Sequence, residues 1–310
     1  MIVCVAPNPS IDRLVEVEAL RPGEIHRPTR FVMVAGGKGL NVARAAKTLG
    51  GDVMVVAPLA GHAGRWIAER LEAAGVPGCF CWIDGETRTS YSVADHETGG
   101  LTEFYERGPA IDAAGWRALE ETLAGVLAEG GARVVTVSGS VPDGSPPDGH
   151  ARLARIGAAA GARVVLDASG PGLAAALGEG PIVKVNADEA RAVLGETAAG
   201  PPVLAASLVE RGARAAIVTA GGSGAYAFDG GGGAGAWLEA PAVEGRYPVG
   251  SGDAFLAGFA VRLAEGASLL DAARFGVAAG AANAVVPGAG ELDPALARRL
   301  AGEVRVRQQE

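Results

Sequence analysis

Short apolar runs alternate with amphipathic segments along most of this chain, and that rhythm constrains its fold more than any other feature. Residues 1–6 form an apolar run stopped by Pro7 and Pro9, and 53–57, 133–137, 163–167, 182–185 and 215–219 repeat the pattern. Runs with so few polar interruptions suit strands buried on both faces. Between them, residues 38–50, 62–74, 112–129, 147–160, 171–178, 187–195 and 203–212 read as helices. This alternation predicts parallel strands joined by crossover helices that cover both faces of one sheet. Two stretches depart from it. Residues 13–34 and 79–107 are extended, alternating and turn-rich, as in Trp82-Ile83 before Asp84-Gly85 and in Ser90-Tyr91-Ser92-Val93. They predict hairpins off the main sheet, arranged as a lid. A terminal hairpin is expected from 225–228 and 236–240, followed by helices over 253–265, 269–285 and 293–303. No linker divides the 310 residues, so one domain over 1–310 is expected.

Hydrophobic residues make up 49% of the chain and charged residues 20%, which supports a large core and excludes a disordered chain. The net charge of −8 argues against nucleic acid or an anionic membrane as partner. An anionic substrate then requires lysines and arginines gathered locally. Cys4, Cys79 and Cys81 are odd in number, and their spacing suits neither a disulfide framework nor a zinc site. Buried, reduced thiols are expected, with no structural metal. Without a leader pattern or an apolar run of membrane-spanning length, the sequence reads as cytoplasmic.

Chemistry concentrates in a few segments. Val249-Gly250-Ser251-Gly252-Asp253-Ala254-Phe255 runs a glycine turn straight into an apolar helix. The first turn of a helix offers unpaired N–H groups and the positive end of its dipole, which attract anions. Asp253 stands where it would repel a bound phosphate unless it has work of its own, such as removing a proton from an attacking hydroxyl. Phosphoryl transfer fits that combination. Gly36-Gly37-Lys38-Gly39-Leu40-Asn41 is a second glycine turn opening a helix. It suits a hydroxylated or phosphorylated ligand, and equally an ordinary strand-to-helix turn with a solvated lysine. Asn8-Pro9-Ser10-Ile11-Asp12-Arg13 follows the first strand, where ligands of open α/β sheets gather. Asp12 there reads either as a sugar-hydroxyl acceptor or as a turn or cap residue.

Gly36-Gly37-Lys38-Gly39-Leu40-Asn41-Val42-Ala43 and Gly250-Ser251-Gly252-Asp253-Ala254-Phe255, in that order, resemble the two signature regions of the PfkB/ribokinase family of carbohydrate kinases. Between them, Asn186-Ala187-Asp188-Glu189 resembles the family's Asn-x-x-Glu motif, and 218–225 its nucleotide-contacting strand and turn. The resemblance covers essentially the whole chain. It implies a ribokinase-like three-layer α/β/α sandwich with a mainly parallel central sheet and a small β-sheet lid, ATP as phosphoryl donor and Mg²⁺ as cofactor. It gives Asp253 the role of catalytic base and the amides of Gly250, Ser251 and Gly252 that of an anion hole. It places Lys184, Asn186, Thr219, Gly221, Gly224 and Asn283 at the nucleotide. Asn186 and Glu189 would organise Mg²⁺, partly through water. Read alone, Glu189 is an ordinary first-turn helix acid.

The Asn-Pro-Ser-Ile-Asp-Arg segment at 8–13 resembles the branch containing 1-phosphofructokinase, tagatose-6-phosphate kinase and the minor 6-phosphofructokinase. That branch implies a substrate already carrying a phosphate, with Asp12, Gly36, Gly37, Lys38, Asn41, Arg88 and Ser138 around it. Arg88, in Thr87-Arg88-Thr89, resembles the lid arginine that holds the substrate phosphate; its alternative is a solvated hairpin arginine. Ser251 and Ala220 stand where the family more often has alanine and glycine, and Arg107 is more basic than usual. The expected reaction is phosphorylation of fructose 1-phosphate to fructose 1,6-bisphosphate, with tagatose 6-phosphate or fructose 6-phosphate as alternative acceptors. Pairing of lids into a homodimer is a further expectation. A nicotinamide-dependent oxidoreductase is disfavoured, because the first strand leads into Ala6-Pro7-Asn8-Pro9 rather than a dinucleotide fingerprint. A non-catalytic sugar- or nucleotide-binding regulator is disfavoured by the presence of Asp253, Asn186 and Glu189.

Overall fold

The computed structural model describes residues 1–309. The strands are Ile2–Val5 (β1), Ser10–Val17 (β2), Arg30–Gly36 (β3), Val53–Leu59 (β4), Gly78–Trp82 (β5), Thr89–Asp95 (β6), Leu101–Tyr105 (β7), Val134–Ser138 (β8), Arg163–Asp167 (β9), Ile182–Asn186 (β10), Ala215–Thr219 (β11), Gly224–Asp229 (β12), Ala234–Glu239 (β13) and Arg305–Gln309 (β14). The α-helices are Lys38–Thr48 (α1), Gly61–Ala73 (α2), Ala113–Ala128 (α3), Gly149–Ala159 (α4), Gly170–Ala176 (α5), Ala187–Leu194 (α6), Pro201–Glu210 (α7), Ser251–Ala264 (α8), Leu269–Ala284 (α9) and Pro294–Ala301 (α10).

The large sheet has ten strands in the order β14-β13-β12-β11-β10-β9-β8-β1-β4-β5. From β11 to β5 all neighbours are parallel, while β12, β13 and β14 add an antiparallel edge. Alternate residues of a strand face opposite sides. In β1, Ile2 and Cys4 join the core beneath α1, α2, α8, α9 and α10, whereas Val3 and Val5 join the core beneath α3, α4, α6 and α7. This is the expected three-layer arrangement. Cys4, Cys79 and Cys81 are free thiols, and burial pushes Cys4 up to about 12. Among the described residues no helix is long and apolar enough to cross a membrane.

The second sheet has four strands in the order β3-β2-β6-β7. Its extent corrects the sequence reading in two ways. Residues 78–82 pair in parallel with β4 and form the edge of the large sheet, because α2 returns the chain there as a βαβ crossover. At the other end β2 starts at Ser10 and β3 ends at Gly36, so Asp12 and the first glycine of the Gly36 turn belong to this sheet. The third antiparallel edge strand, β14, was likewise not expected; it pairs along β13.

α8 and α9 are built largely of alanine and glycine, so few large side chains fill the core between them. Phe259 has no solvent exposure and stacks on Phe255 with ring centroids 6.3 Å apart. Truncating Phe259 to alanine is expected to lower unfolding free energy by about 3–5 kcal/mol, since small neighbours cannot refill the hole. Urea unfolding checks this: the midpoint should fall with the slope unchanged.

Candidate active site

From β1 the chain adds β4 and β5 on one side, then β8 to β11 on the other. Such a reversal leaves a crevice at the carboxyl ends of the strands on either side of the switch. Ser138, Asp167, Asn186 and Thr219 are the last residues of β8, β9, β10 and β11, and Asn8 follows β1. The sheet itself therefore brings these positions to one edge.

At the centre lies a buried charge cluster. Asp167 is fully buried; Lys184 Nζ lies 2.6 Å from its Oδ2, and Lys38 Nζ 2.9 Å from its Oδ1. Lys38 also reaches Glu189 Oε1 at 3.3 Å. Burial opposes the Asp167 charge, but the two ammoniums hold the carboxyl below its ordinary range. Burial likewise opposes the Lys38 charge, and Asp167 and Glu189 overcome it, holding the ammonium above its usual range. Asp167 is a functional residue that the sequence analysis does not single out. Its signal is an acid closing the apolar run Arg163–Asp167, where a strand end meets the crevice.

Asp253 is the third residue of α8 and is buried. Its Oδ2 accepts a hydrogen bond from Asn41 Nδ2 at 2.9 Å. Burial pushes its carboxyl up to about 6, and the nearby Asp167 charge adds to this; Asn41, Lys184 and Lys38 pull the other way. A carboxylate with that range suits proton abstraction near neutral pH. In front of α8, Gly250 has φ 84°, in the left-handed region that favours glycine. A Cβ there would stand 2.5 Å from Ala289 Cα. Among the described residues the Gly250 and Gly252 amides have no acceptor, whereas Ser251 N–H donates to the Pro248 carbonyl at 3.1 Å. This corrects the three-amide anion hole: the turn that launches the helix takes up Ser251. The Lys184 ammonium lies beneath, 2.9 Å from where a Gly252 Cβ would be.

The Gly36-Gly37 turn enters the crevice from the small sheet. Asp12 Oδ2 accepts the Gly37 N–H at 2.9 Å, and Ser10 Oγ donates to Asp12 Oδ1 at 2.5 Å. A side chain at Gly36 would strike the Asp12 carboxylate, 2.2 Å away. Asp12 thus fills the turn-and-cap role at the edge of the crevice. Arg88 is half-buried, with Nε 3.1 Å from Asn8 Oδ1, one terminal nitrogen 3.1 Å from Asn8 O and the other 3.1 Å from Ser90 Oγ. Burial depresses its guanidinium, offset by the charge of Asp12. Asn8 Nδ2 in turn donates to Ser140 Oγ at 3.1 Å, across to the loop after β8. Ser138 Oγ is buried without a hydrogen-bond partner. Arg107 is largely exposed, 3.6 Å from Asp143.

On the other side, Asn186 caps α6. Its Oδ1 accepts from Glu189 N at 2.8 Å, and Glu189 Oε2 accepts from Asn186 N at 2.9 Å. This reciprocal capping box is the ordinary helix-acid reading made concrete, yet it leaves Glu189 Oε1 directed to Lys38. Thr219 closes β11, Gly221 opens a short turn at its end, and Gly224 begins β12 against the Leu238 carbonyl. Asn283 departs from the nucleotide role expected of it. It is fully buried and spends Nδ2 on the Gly288 and Glu291 carbonyls at 2.9 and 2.7 Å, so it shapes the loop behind Gly250. Among the described residues no three His, Cys, Asp or Glu side chains gather as a metal cage. The donors here are oxygens of Asn186 and Glu189, which fits a hard cation held largely through water and phosphate oxygens, as Mg²⁺ commonly is.

The pfkB family carbohydrate kinase profile matches residues 2–296. A 1-phosphofructokinase of Haloferax volcanii is 34% identical over 312 residues, covering 99% of this chain and 97% of that protein. An ATP-dependent 6-phosphofructokinase isozyme 2 of Mycobacterium tuberculosis is 34% identical over 93% of this chain and 85% of its own length. Phosphofructokinase-2 from Escherichia coli in complex with fructose-6-phosphate superposes with a TM-score of 0.88 at 28% identity, covering 98% of both chains.

Asp167 neutralises two ammoniums, one of them almost wholly buried. Asp167→Asn is therefore expected to cost about 3–5 kcal/mol at neutral pH, as for a broken buried ion pair. Because the folded carboxyl is held below its unfolded value, this contribution is present above the unfolded value and lost as pH falls. Urea titrations across pH should show the two proteins converging in acid.

Proposed function

This chain belongs to the pfkB family of carbohydrate kinases, and from that premise we propose that it transfers the terminal phosphoryl of ATP to fructose 1-phosphate, giving fructose 1,6-bisphosphate. The observation that carries the reading is Asp253: a buried carboxylate in the first turn of a helix, beside amides with no acceptor. Asp253 takes the proton of the acceptor hydroxyl as its oxygen attacks the γ-phosphorus. The bond from that phosphorus to the bridging oxygen breaks, and ADP leaves. The Gly250 and Gly252 amides, with Lys184 beneath and Lys38 alongside, face the negative charge on the transferring group. Positioned donors of this kind supply most of what phosphoryl transfer needs. Mg²⁺, held through water at Asn186 and Glu189, would neutralise phosphate charge. Thr219, Gly221 and Gly224 line the nucleotide side.

Across the crevice, Asp12 and the Gly36-Gly37 turn meet the sugar, and Arg88 meets its existing phosphate. A guanidinium suits a phosphate dianion because its planar fork donates two parallel hydrogen bonds. The 1-phosphofructokinase relative supports fructose 1-phosphate as acceptor; the fructose-6-phosphate complex of the Escherichia coli enzyme makes fructose 6-phosphate the acceptor to test against it. The small sheet, carrying Asp12 and Arg88, acts as the lid of a single kinase domain. Phe31, Leu101, Phe104 and Tyr105 stand exposed on it, which supports pairing with the lid of a second copy. Free, mostly buried thiols suit a cytoplasmic enzyme.

The test is a panel of fructose 1-phosphate, fructose 6-phosphate, tagatose 6-phosphate and unphosphorylated sugars with Mg-ATP and coupled ADP detection. The highest kcat/KM is expected on fructose 1-phosphate; turnover confined to unphosphorylated sugars would sink the proposal. Asp253→Asn should lower kcat by about 10²–10⁴-fold with ATP binding retained. The base works deprotonated, so kcat/KM should rise with pH through about 6. Arg88→Gln should raise KM for the sugar phosphate by about 10–100-fold, the worth of a charge-assisted hydrogen bond, with a smaller change in kcat.

A further inference from the structure

We propose that Arg44 is a positioning residue that locks the hydrogen-bond partner of Asp253 and the wall of the anion-binding turn into one unit. The inference rests on Asp253 being the base. Arg44 lies one helical turn beyond Asn41 on α1, with its side chain 11% exposed. All three of its nitrogens are committed. Nε donates to the Ala35 carbonyl at 2.9 Å, at the end of the small sheet. One terminal nitrogen pairs with Glu291. The other donates to Asn41 Oδ1 at 2.9 Å and to the Ala289 carbonyl at 2.7 Å.

The first consequence concerns Asn41. A carboxamide has one acceptor oxygen and one donor nitrogen at its tip. With Oδ1 held by Arg44, Nδ2 must face Asp253. Reversing the amide would set its oxygen against the Asp253 carboxylate and its NH₂ against the guanidinium, two repulsions at once. The second consequence concerns the turn. The backbone at 289–290 is the surface against which Gly250 packs, 2.5 Å from where a side chain would begin. Arg44 grips that backbone from α1, and Asn283 grips the same loop from α9. A buried arginine needs only Glu291 to balance its charge. Two of its remaining bonds go to the partner of Asp253 and to the loop behind its turn, and the third ties α1 to β3.

The groups facing Asp253 are Asn41 and Lys38 from α1, Asp167 from β9 and Lys184 from β10. Replacing Arg44 leaves both lysines and Asp167 in place, and Arg44→Lys also leaves the net charge unchanged, so a shift of the acid limb in that variant reports on Asn41 rather than on a lost charge. Lysine keeps the charge at position 44 but cannot reproduce the planar fork.

The experiment compares wild type with Arg44→Lys, Arg44→Gln and Glu291→Gln in full Mg-ATP kinetics, with thermal melting alongside. For both Arg44 variants kcat should fall about 10–100-fold, as for a displaced reacting group, while KM for ATP changes less than about threefold. The Asn41 bond favours the ionised carboxylate, so loosening it raises the Asp253 value. The acid limb of kcat/KM should then move up by about 0.5–1 pH unit. Glu291→Gln should shift both readouts the same way by less, and it carries the test if neither Arg44 variant folds. A lowered melting temperature with wild-type kcat and an unmoved acid limb overturns the proposal, as does a loss expressed only in KM. If Asp253→Asn keeps its turnover, the base itself is misassigned; if it is inactive while the Arg44 and Glu291 variants keep the wild-type limb, only the Arg44 role falls.

Discussion

The site is organised around Asp167, a carboxylate with no solvent exposure bridging two lysines from different elements. Placing one negative charge in the interior is costly, and two ammoniums in good geometry offset that cost. The arrangement also does something a neutral core would not. Lys38 comes from α1 and Lys184 from β10, so Asp167 at the end of β9 ties that helix to two neighbouring strands of the large sheet. Asp253 sits in the field of all three charges. Asp167 pushes its carboxyl toward neutrality and the lysines pull it back, leaving it near 6. The same cluster thus sets the register of the crevice and the proton affinity at its centre.

An acidic protein that handles polyanions has to concentrate its positive potential. Here the overall charge is −8, yet the crevice gathers Lys38, Lys184 and Arg88 with first-turn amides of α8. Each cation is restrained: Lys184 on Asp167, Lys38 between Asp167 and Glu189, Arg88 on Asn8 and Ser90. Restraint of this kind lowers the reorganisation needed when charge develops on a transferring group. Arg88 differs from the lysines in leading into β6 of the small sheet, whereas Lys38 opens α1 and Lys184 lies in β10, so its approach depends on how the small sheet meets the crevice.

Much of this was legible in sequence because it depends on local pattern. Buried parallel strands announce themselves as uninterrupted apolar runs, and Gly250 and Gly36 mark turns that other residues would distort. What escaped was non-local. Gly78–Trp82 reads like a hairpin strand because an extended run leads straight to the Asp84-Gly85 turn, and its membership of the large sheet depends on pairing with β4. Ser251 N–H looks available until Pro248 is seen curling back on it. Asn283 and Arg44 carry no local signature at all. Their meaning comes from the loop at 288–291, which lies far along the chain from Arg44 and folds between the two.

Asn186 and Glu189 show why a structural reading and a functional one need not compete. A capping box satisfies backbone donors at a helix start using two side chains three residues apart. Here it also fixes both side chains rigidly at the carboxyl end of β10, beside Lys38. Glu189 has two carboxylate oxygens; one serves the cap and the other faces the crevice. A hydrated divalent ion asks for oxygen ligands that stay put while its water exchanges, because it gives up that water reluctantly. For the Mg²⁺ proposed at Asn186 and Glu189, the cap would supply that fixity. The bond that makes Glu189 an ordinary helix acid is the one that aims its second oxygen at Lys38 and the crevice.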